Sequence, residues 1–376
     1  MIISIVLIVL TCLIIWRASD GFEAASEYLG RNLNDGVRGA TINAIGSSMP
    51  ELFTTFWFLF ALMDRDGFAS GIGTTAGSAI FNGMIIPAVV ILAVIGYGLA
   101  KKITVSKKVI LRDGLSLIAA EFILILLISG DTLHWWHGLI LMGVYAIYVI
   151  IMLSTMSANE EGEEDDDDDE DDDDDDDGSF LTNLLTLNLE PIFVKDKITT
   201  GSAWALLLTT MAIIGGACAL LVYSCEDLAL GMGIETYFVA VIIASAATSV
   251  PDTILSYRDA MAGEYDDAVA NALGSNIFDI CFALGFPLFI FTMMYGSIEM
   301  SPETVENITE LRGLLLILTI IAFFIYYFGD GMGRIKAVLL LLIYVGFTAF
   351  ILAKAYGMQW ALDFGDVLRG WMSAVF

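Results

Sequence analysis

Soft metal ligands are scarce in this chain, with four cysteines and two histidines in 376 residues. Cys12, Cys218, Cys225 and Cys281 fall in or near apolar stretches at unrelated spacings, which excludes a disulfide framework and a zinc motif and leaves them as packing residues. No nucleophile elbow, P-loop or zinc spacing is present, so the chain reads as a non-enzyme without a cofactor. Nothing points to nucleic acid either. Positive charge is short too: 17 Lys and Arg stand against 45 Asp and Glu. No basic stretch precedes the first apolar run, MIISIVLIVLTCLIIW, and no convincing small-residue cleavage site follows it. It therefore reads as a first membrane span rather than a cleaved signal.

What the chain has in abundance is apolar sequence. Hydrophobic residues make up 57% of it, the mean hydropathy is +0.77, and the apolar residues come in long blocks. About 20 apolar residues cross a bilayer, which predicts spans near 2–27, 39–63, 68–98, 110–130 and 134–154. Five more are predicted near 202–224, 236–257, 266–294, 311–328 and 335–353. The fold class expected is an all-α polytopic membrane protein of about ten transmembrane helices, with the lipid bilayer as its surroundings. Seventeen acidic residues run together from Glu160 to Asp177. Like charges at that density repel, and the run has no EF-hand spacing, so residues 155–200 are expected to be a disordered linker rather than a regulatory Ca²⁺ sensor.

Positive charge also sets orientation, because cytoplasmic loops carry the excess of Lys and Arg. In the ten-span arrangement 13 of these residues, among them Arg17, Arg38, Lys101, Lys195, Arg258 and Lys336, fall on one side, and Arg65, Arg312, Lys354 and Arg369 on the other. Both termini are thus expected outside the cell membrane, with the acidic linker in the cytoplasm. The linker divides the chain into two halves of five spans, 1–154 and 201–354. An odd number makes a repeated half enter the membrane in the opposite sense, which is an inverted repeat. Residues 355–376, with Trp360, Leu368 and Trp371 among charges, read as an interfacial amphipathic tail.

The repeat is visible in the letters. AIGSSMPELFTT, from Ala44 to Thr55, matches SAATSVPDTILS, from Ser245 to Ser256, and GSAIFN, from Gly77, matches GSNIFD, from Gly274. Pro50 has no N–H, so the carbonyl of Gly46 loses its helical partner and becomes available as a ligand; Pro251 does the same for Ala247. Ser47 and Ser48 lie one helical turn before Glu51, as Thr248 and Ser249 do before Asp252. On the next helix of each half Ser78 shares a face with Asn82, and Ser275 with Asp279. Carboxylates, hydroxyls, an amide and freed carbonyls suit hard cations such as Ca²⁺ and Na⁺, whereas softer metals want thiolate or imidazole. Neither His134 nor His137 is near the repeats.

GSSMPELF with GSAIFN, and ATSVPD with GSNIFD, resemble the paired alpha-repeats of the calcium/cation antiporter superfamily, specifically the potassium-dependent sodium/calcium exchangers. The likeness extends to LRD at Leu111–Asp113 and to WWHGLILMGVYAIYVIIM from Trp135 to Met152. The resemblance implies a secondary antiporter that exchanges Na⁺ for Ca²⁺ by alternating access at a midplane site. Glu51 and Asp252 would hold Ca²⁺, and the hydroxyls and amides named above would complete the site. Asp279 is the position associated with K⁺ co-transport. One chain carries both halves of such a site, so a monomer suffices. Ala247 in place of the usual glycine, Gly83 in place of a large aliphatic, Asn43 and Pro87 depart from the family pattern. A Ca²⁺/H⁺ exchanger is the nearest alternative, with a cation channel or a membrane calcium sensor further off.

Overall fold

Long apolar segments in a bilayer satisfy their backbone polar groups as helices, since lipid supplies no other partner. The computed structural model describes residues 1–31, 44–62, 65–157, 180–194 and 198–375. Asn43, Arg38, Lys195, Lys197 and the acidic run lie outside the described residues. The first half contains α1 (Ile2–Gly30), the short α2 (Ala44–Ser47), α3 (Met49–Leu62), α4 (Arg65–Gly96), α5 (Lys107–Leu127) and α6 (Trp135–Ser157). Two short helices, α7 (Phe180–Thr186) and α8 (Glu190–Phe193), follow. The second half contains α9 (Thr200–Met232), α10 (Thr236–Ala262), α11 (Tyr265–Tyr295), α12 (Pro302–Tyr327) and α13 (Arg334–Ala355). The amphipathic α14 (Gln359–Val375) closes the described chain.

Among the described residues eight helices are long and apolar enough to cross a membrane. The exceptions among the predicted spans have local causes. α3 is short because the helix breaks at Ser48, and α5 carries Lys107, Lys108, Arg112, Asp113 and Glu121. The expectation of a disordered linker reaching residue 200 does not hold for residues 180–194, whose Leu189 is buried against Ala25 and Leu206.

Local chemistry sets the helix ends. Thr199 and Ser202 form a reciprocal capping box at the start of α9. Ser301 accepts from the Thr304 amide ahead of Pro302. Gly233 (φ 70°) and Gly263 (φ 94°) end α9 and α10 in a left-handed turn. Aliphatic side chains such as Val6, Leu13, Ile147, Leu208 and Leu342 stay exposed on the outside, as a lipid-facing surface requires.

Inside the bundle the helices of the two halves alternate. α1 lies along α9, and α4 sits in the middle, packed on α3, α10, α11, α12 and α13. Glycine lets α4 and α10 come together: a Cβ on Gly77 would stand 2.2 Å from the Val241 carbonyl, and one on Gly73 3.0 Å from a Val241 methyl. Close packing therefore accounts for the glycines between Gly71 and Gly77.

Two short pairings tie the loops. Thr132–Leu133 (β1) pairs antiparallel with Ile298–Glu299 (β2), with Thr132 opposite Glu299 and Leu133 opposite Ile298. Ile103 bridges to Met332. Each pairing joins one loop from either half.

Candidate cation-binding site

The two proline motifs interrupt their helices at equivalent places. In the first half the helix breaks at Ser48 between α2 and α3. In α10 it breaks at Ser249 (φ −79°, ψ 5°), one residue before the turn that carries Pro251. Proline at the second position of a new turn is tolerated because no hydrogen bond is lost there. Glu51 and Asp252 thus stand in the first turn of a fresh helical segment, where the exposed amide dipoles favour negative charge. Asp279 opens a π-helical turn, Asp279–Ala283, inside α11, a distortion common at functional positions.

These features bring three carboxylates together. One oxygen each from Glu51, Asp252 and Asp279 lies within 4.8 Å of the others, and all three residues are fully buried. Ca²⁺ holds oxygens at about 2.3–2.6 Å, so oxygens on opposite sides of one ion stand roughly 4.6–5.2 Å apart. The cluster has the dimensions for a single such ion to touch all three acids.

Neutral groups connect the acids across the two halves. Ser78 Oγ, with one proton to donate, lies 2.9 Å from Asp279 Oδ2, 3.2 Å from Glu51 Oε1 and 2.8 Å from Ser249 Oγ. Ser249 Oγ lies 3.5 Å from Glu51 Oε1. Asn82 Nδ2 donates to Asp252 Oδ2 at 2.9 Å, and Ser275 Oγ to Asp252 Oδ1 at 2.9 Å. Ser47 reaches Asp252, and Thr248 reaches Glu51. Each repeat acid therefore receives a hydroxyl from the next helix of its own half and another from the opposite half. Ser48, Gly46 and Ala247 are buried on the same short turns, so every residue predicted from the motifs sits on the elements that enclose the acids.

Some oxygens are left over. Among the described residues Glu51 Oε2, Asp279 Oδ1 and Asn82 Oδ1 are buried without a hydrogen-bond partner. Buried acceptors are almost always paired in proteins, so three orphans in one cluster are the arrangement that a cation would complete.

Supporting residues appear that the motifs did not reveal. Asn271 Nδ2 donates to Ser256 Oγ at 3.1 Å and lies 3.5 Å from the Asp252 carbonyl. Asn276 Nδ2 donates to the Ala79 carbonyl at 3.0 Å, which pins α11 to α4. The Cys218 thiol lies 3.5 Å from the Pro50 carbonyl. Spacing held the signal for Asn271: with Ser275 and Asp279 it makes an i, i+4, i+8 row on one face of α11.

Comparison with known proteins follows the same two halves. A family model described as "Sodium/calcium exchanger protein" matches residues 3–154 and again residues 202–353. Sodium/potassium/calcium exchanger 3 of Rattus norvegicus is 36% identical over 121 residues, 32% of this chain and 18% of that protein. The matched stretch is thus about a fifth of the length of such mammalian relatives. CaxA of Alkalimonas amylolytica is 26% identical over 279 residues, 73% of this chain and 76% of that one. Among solved structures, the H⁺/Ca²⁺ exchanger CAX superposes with a TM-score of 0.63 at 15% identity, covering 97% of this chain and 91% of its own. The sodium-calcium exchanger NCX_Mj superposes at 0.56 with 22% identity, covering 93% and 98%. Those likenesses concern the fold. With one family model accounting for the half that carries Glu51 and again for the half that carries Asp252 and Asp279, the chain belongs to the sodium/calcium exchanger protein family.

Proposed function

We propose that this protein exchanges Na⁺ for Ca²⁺ by alternating access at the Glu51–Asp252–Asp279 cluster. The observation that carries the reading is a trio of buried acids spaced for one ion, with an oxygen each of Glu51, Asp279 and the neighbouring Asn82 amide left unpaired. Ca²⁺ would take the carboxylates. Na⁺ would compete for them with help from the uncharged oxygens of Ser47, Ser48, Ser78, Asn82, Thr248, Ser249 and Ser275 and the carbonyls of Gly46 and Ala247, and that competition couples the two ions. K⁺ would join through Asp279, where the equivalent first-half position is the neutral Asn82. The halves 1–154 and 201–354 act as inverted repeats of five spans each, and a monomer suffices for transport. The acidic linker faces the cytoplasm, both termini lie outside a cell membrane, and the tail 355–376 rests at the interface.

Reconstitution into vesicles with the Na⁺, K⁺ and H⁺ gradients varied independently tests this. Radiolabelled Ca²⁺ uptake is expected to follow an outward Na⁺ gradient and to saturate. Uptake driven by a pH gradient and indifferent to Na⁺ would assign Ca²⁺/H⁺ exchange to the same carboxylates, and non-saturating flux without counter-ion would mean a channel.

A further inference from the structure

A small cavity lies between α1, α2 and α10, lined at its inner end by Gly46, Ser47 and Pro251 and along its wall by Trp16, Ser19 and Leu255. Its volume of about 20 Å³ is room for a single water. The inner end is therefore the wall of the central site. At the outer end Arg258 of α10 reaches across to α1, with Nη2 at 2.9 Å from Asp20 Oδ1 and Nη1 at 3.8 Å from Glu23 Oε2. The Phe22 ring stands against Gly46 so closely that a Cβ there would be 3.0 Å from two ring carbons. The ion pair of α1 with Arg258 lines the outer end of the cavity, and the Phe22 ring packs α1 against α2 beside it.

Two polar groups inside point to an occupant. Ser19 is 7% exposed and its Oγ has no hydrogen-bond partner; the Trp16 indole N–H has none either. Ser19 Oγ can serve a cation or a water, whereas an indole N–H donates only and can serve the water alone. A one-water cavity that carries two unpaired polar groups and runs from Asp20 and Glu23 to Gly46 and Ser47 is the cross-section of a pinched aqueous passage.

We propose that this cavity is the closed ion path from one face of the protein to the central carboxylates, and that Arg258 is its plug. The guanidinium occupies Asp20 and Glu23 as a resident cation and is displaced when a partly hydrated alkali or alkaline-earth cation takes the same two carboxylates. The chemistry suits the task. The guanidinium in place sets a positive charge at the mouth, which repels incoming cations. The pair is half exposed, with 50% of the Arg258 side chain open to solvent, so it is weak enough to open readily. The exchange reading supplies only the identity of the ions.

The test reads access rather than flux. Ser19→Cys is introduced into the full chain, in vesicles of known orientation, and modified with membrane-impermeant methanethiosulfonates, one cationic and one anionic of similar size. The parent chain, with its own four cysteines, gives the background. Arg258→Gln is expected to raise the rate with the cationic reagent roughly two- to fivefold, the shift a partly exposed ion pair supports, and to raise the anionic rate less. Exchanging the charges, Asp20→Arg with Arg258→Asp, is expected to restore the slow rate. Ile254→Cys, on the same wall, gives a second reporter if Ser19→Cys fails to fold. Equal rates with and without Arg258, or no modification from either face, overturn the proposal. Because labelling requires no transport, failure of Na⁺-driven uptake would remove the exchange reading and leave this result standing.

Discussion

At the scale of single residues, the site is a set of acids that cannot all be served by the protein's own donors. Asp252 is the best served, by Asn82 Nδ2 and Ser275 Oγ on separate oxygens at 2.9 Å each. Asp252→Asn therefore keeps its place, presenting Oδ1 to Asn82 and its amide to a reoriented Ser275 hydroxyl. It is expected to fold, by gel filtration and melting, while Na⁺-driven Ca²⁺ uptake falls below detection, and Glu51→Gln is expected to behave alike. Normal uptake by either would remove the pair from the ion path. Asp279→Asn restores the residue type of Asn82 and is expected to lower the K⁺ requirement of uptake; an unchanged K⁺ response would detach Asp279 from K⁺. The acids, hydroxyls and prolines were legible because the sequence repeats them at matching places. Their partners were not, since periodicity says which residues share a face but not which faces meet. Ser78 with Ser249, and Arg258 with Asp20, are 171 and 238 residues apart.

At the scale of elements, helix positions were readable to within a few residues where apolar runs were long, as for 266–294 against the observed Tyr265–Tyr295. The largest shift is in α12, predicted from 311 and found from Pro302. Its first turns, PETVENITE, are too polar for a membrane signal, yet they are helical because the bundle satisfies them. Tyr237 Oη donates to the Asn307 carbonyl at 3.1 Å, and Glu310, 2% exposed, receives Lys354 of α13 and Arg369 of α14. One buried carboxylate thus fastens three helices, and Gly365 lets α14 approach it, since a Cβ there would lie 2.8 Å from the carboxylate. Removing one partner of a buried pair costs about 3–5 kcal/mol. Glu310→Ala is expected to lower the melting temperature in detergent and to expose α14 to protease; an unaltered digestion pattern would mean that α14 is held by its apolar face alone, through Ala361, Leu368 and Met372.

At the scale of the whole molecule the two halves are interleaved rather than adjacent. The loop after α4 bridges to the loop after α12, and the loop after α5 pairs with the loop after α11. In a ten-span arrangement each pair would fall on one side of the membrane. The halves also touch backbone to backbone at Gly77. Gly77→Ala is expected to cost roughly 1–3 kcal/mol or more through overpacking, read as a lower melting temperature, whereas Gly216→Ala, with open space around it, is expected to melt as the parent. Equal melting of the two would mean that α4 and α10 have room to part. The cross-wiring of Glu51 reaches further, into biosynthesis. A ribosome delivers Glu51 and Ser78 long before Ser249 and Asp279 exist, so the first half must wait with a carboxylate whose cost near a helix centre is about 2.5–3.5 kcal/mol. Ser78 of its own half reaches it, and the arrival of α10 adds Thr248 and Ser249, so insertion of the second half is the step at which the cluster is completed in a nascent chain.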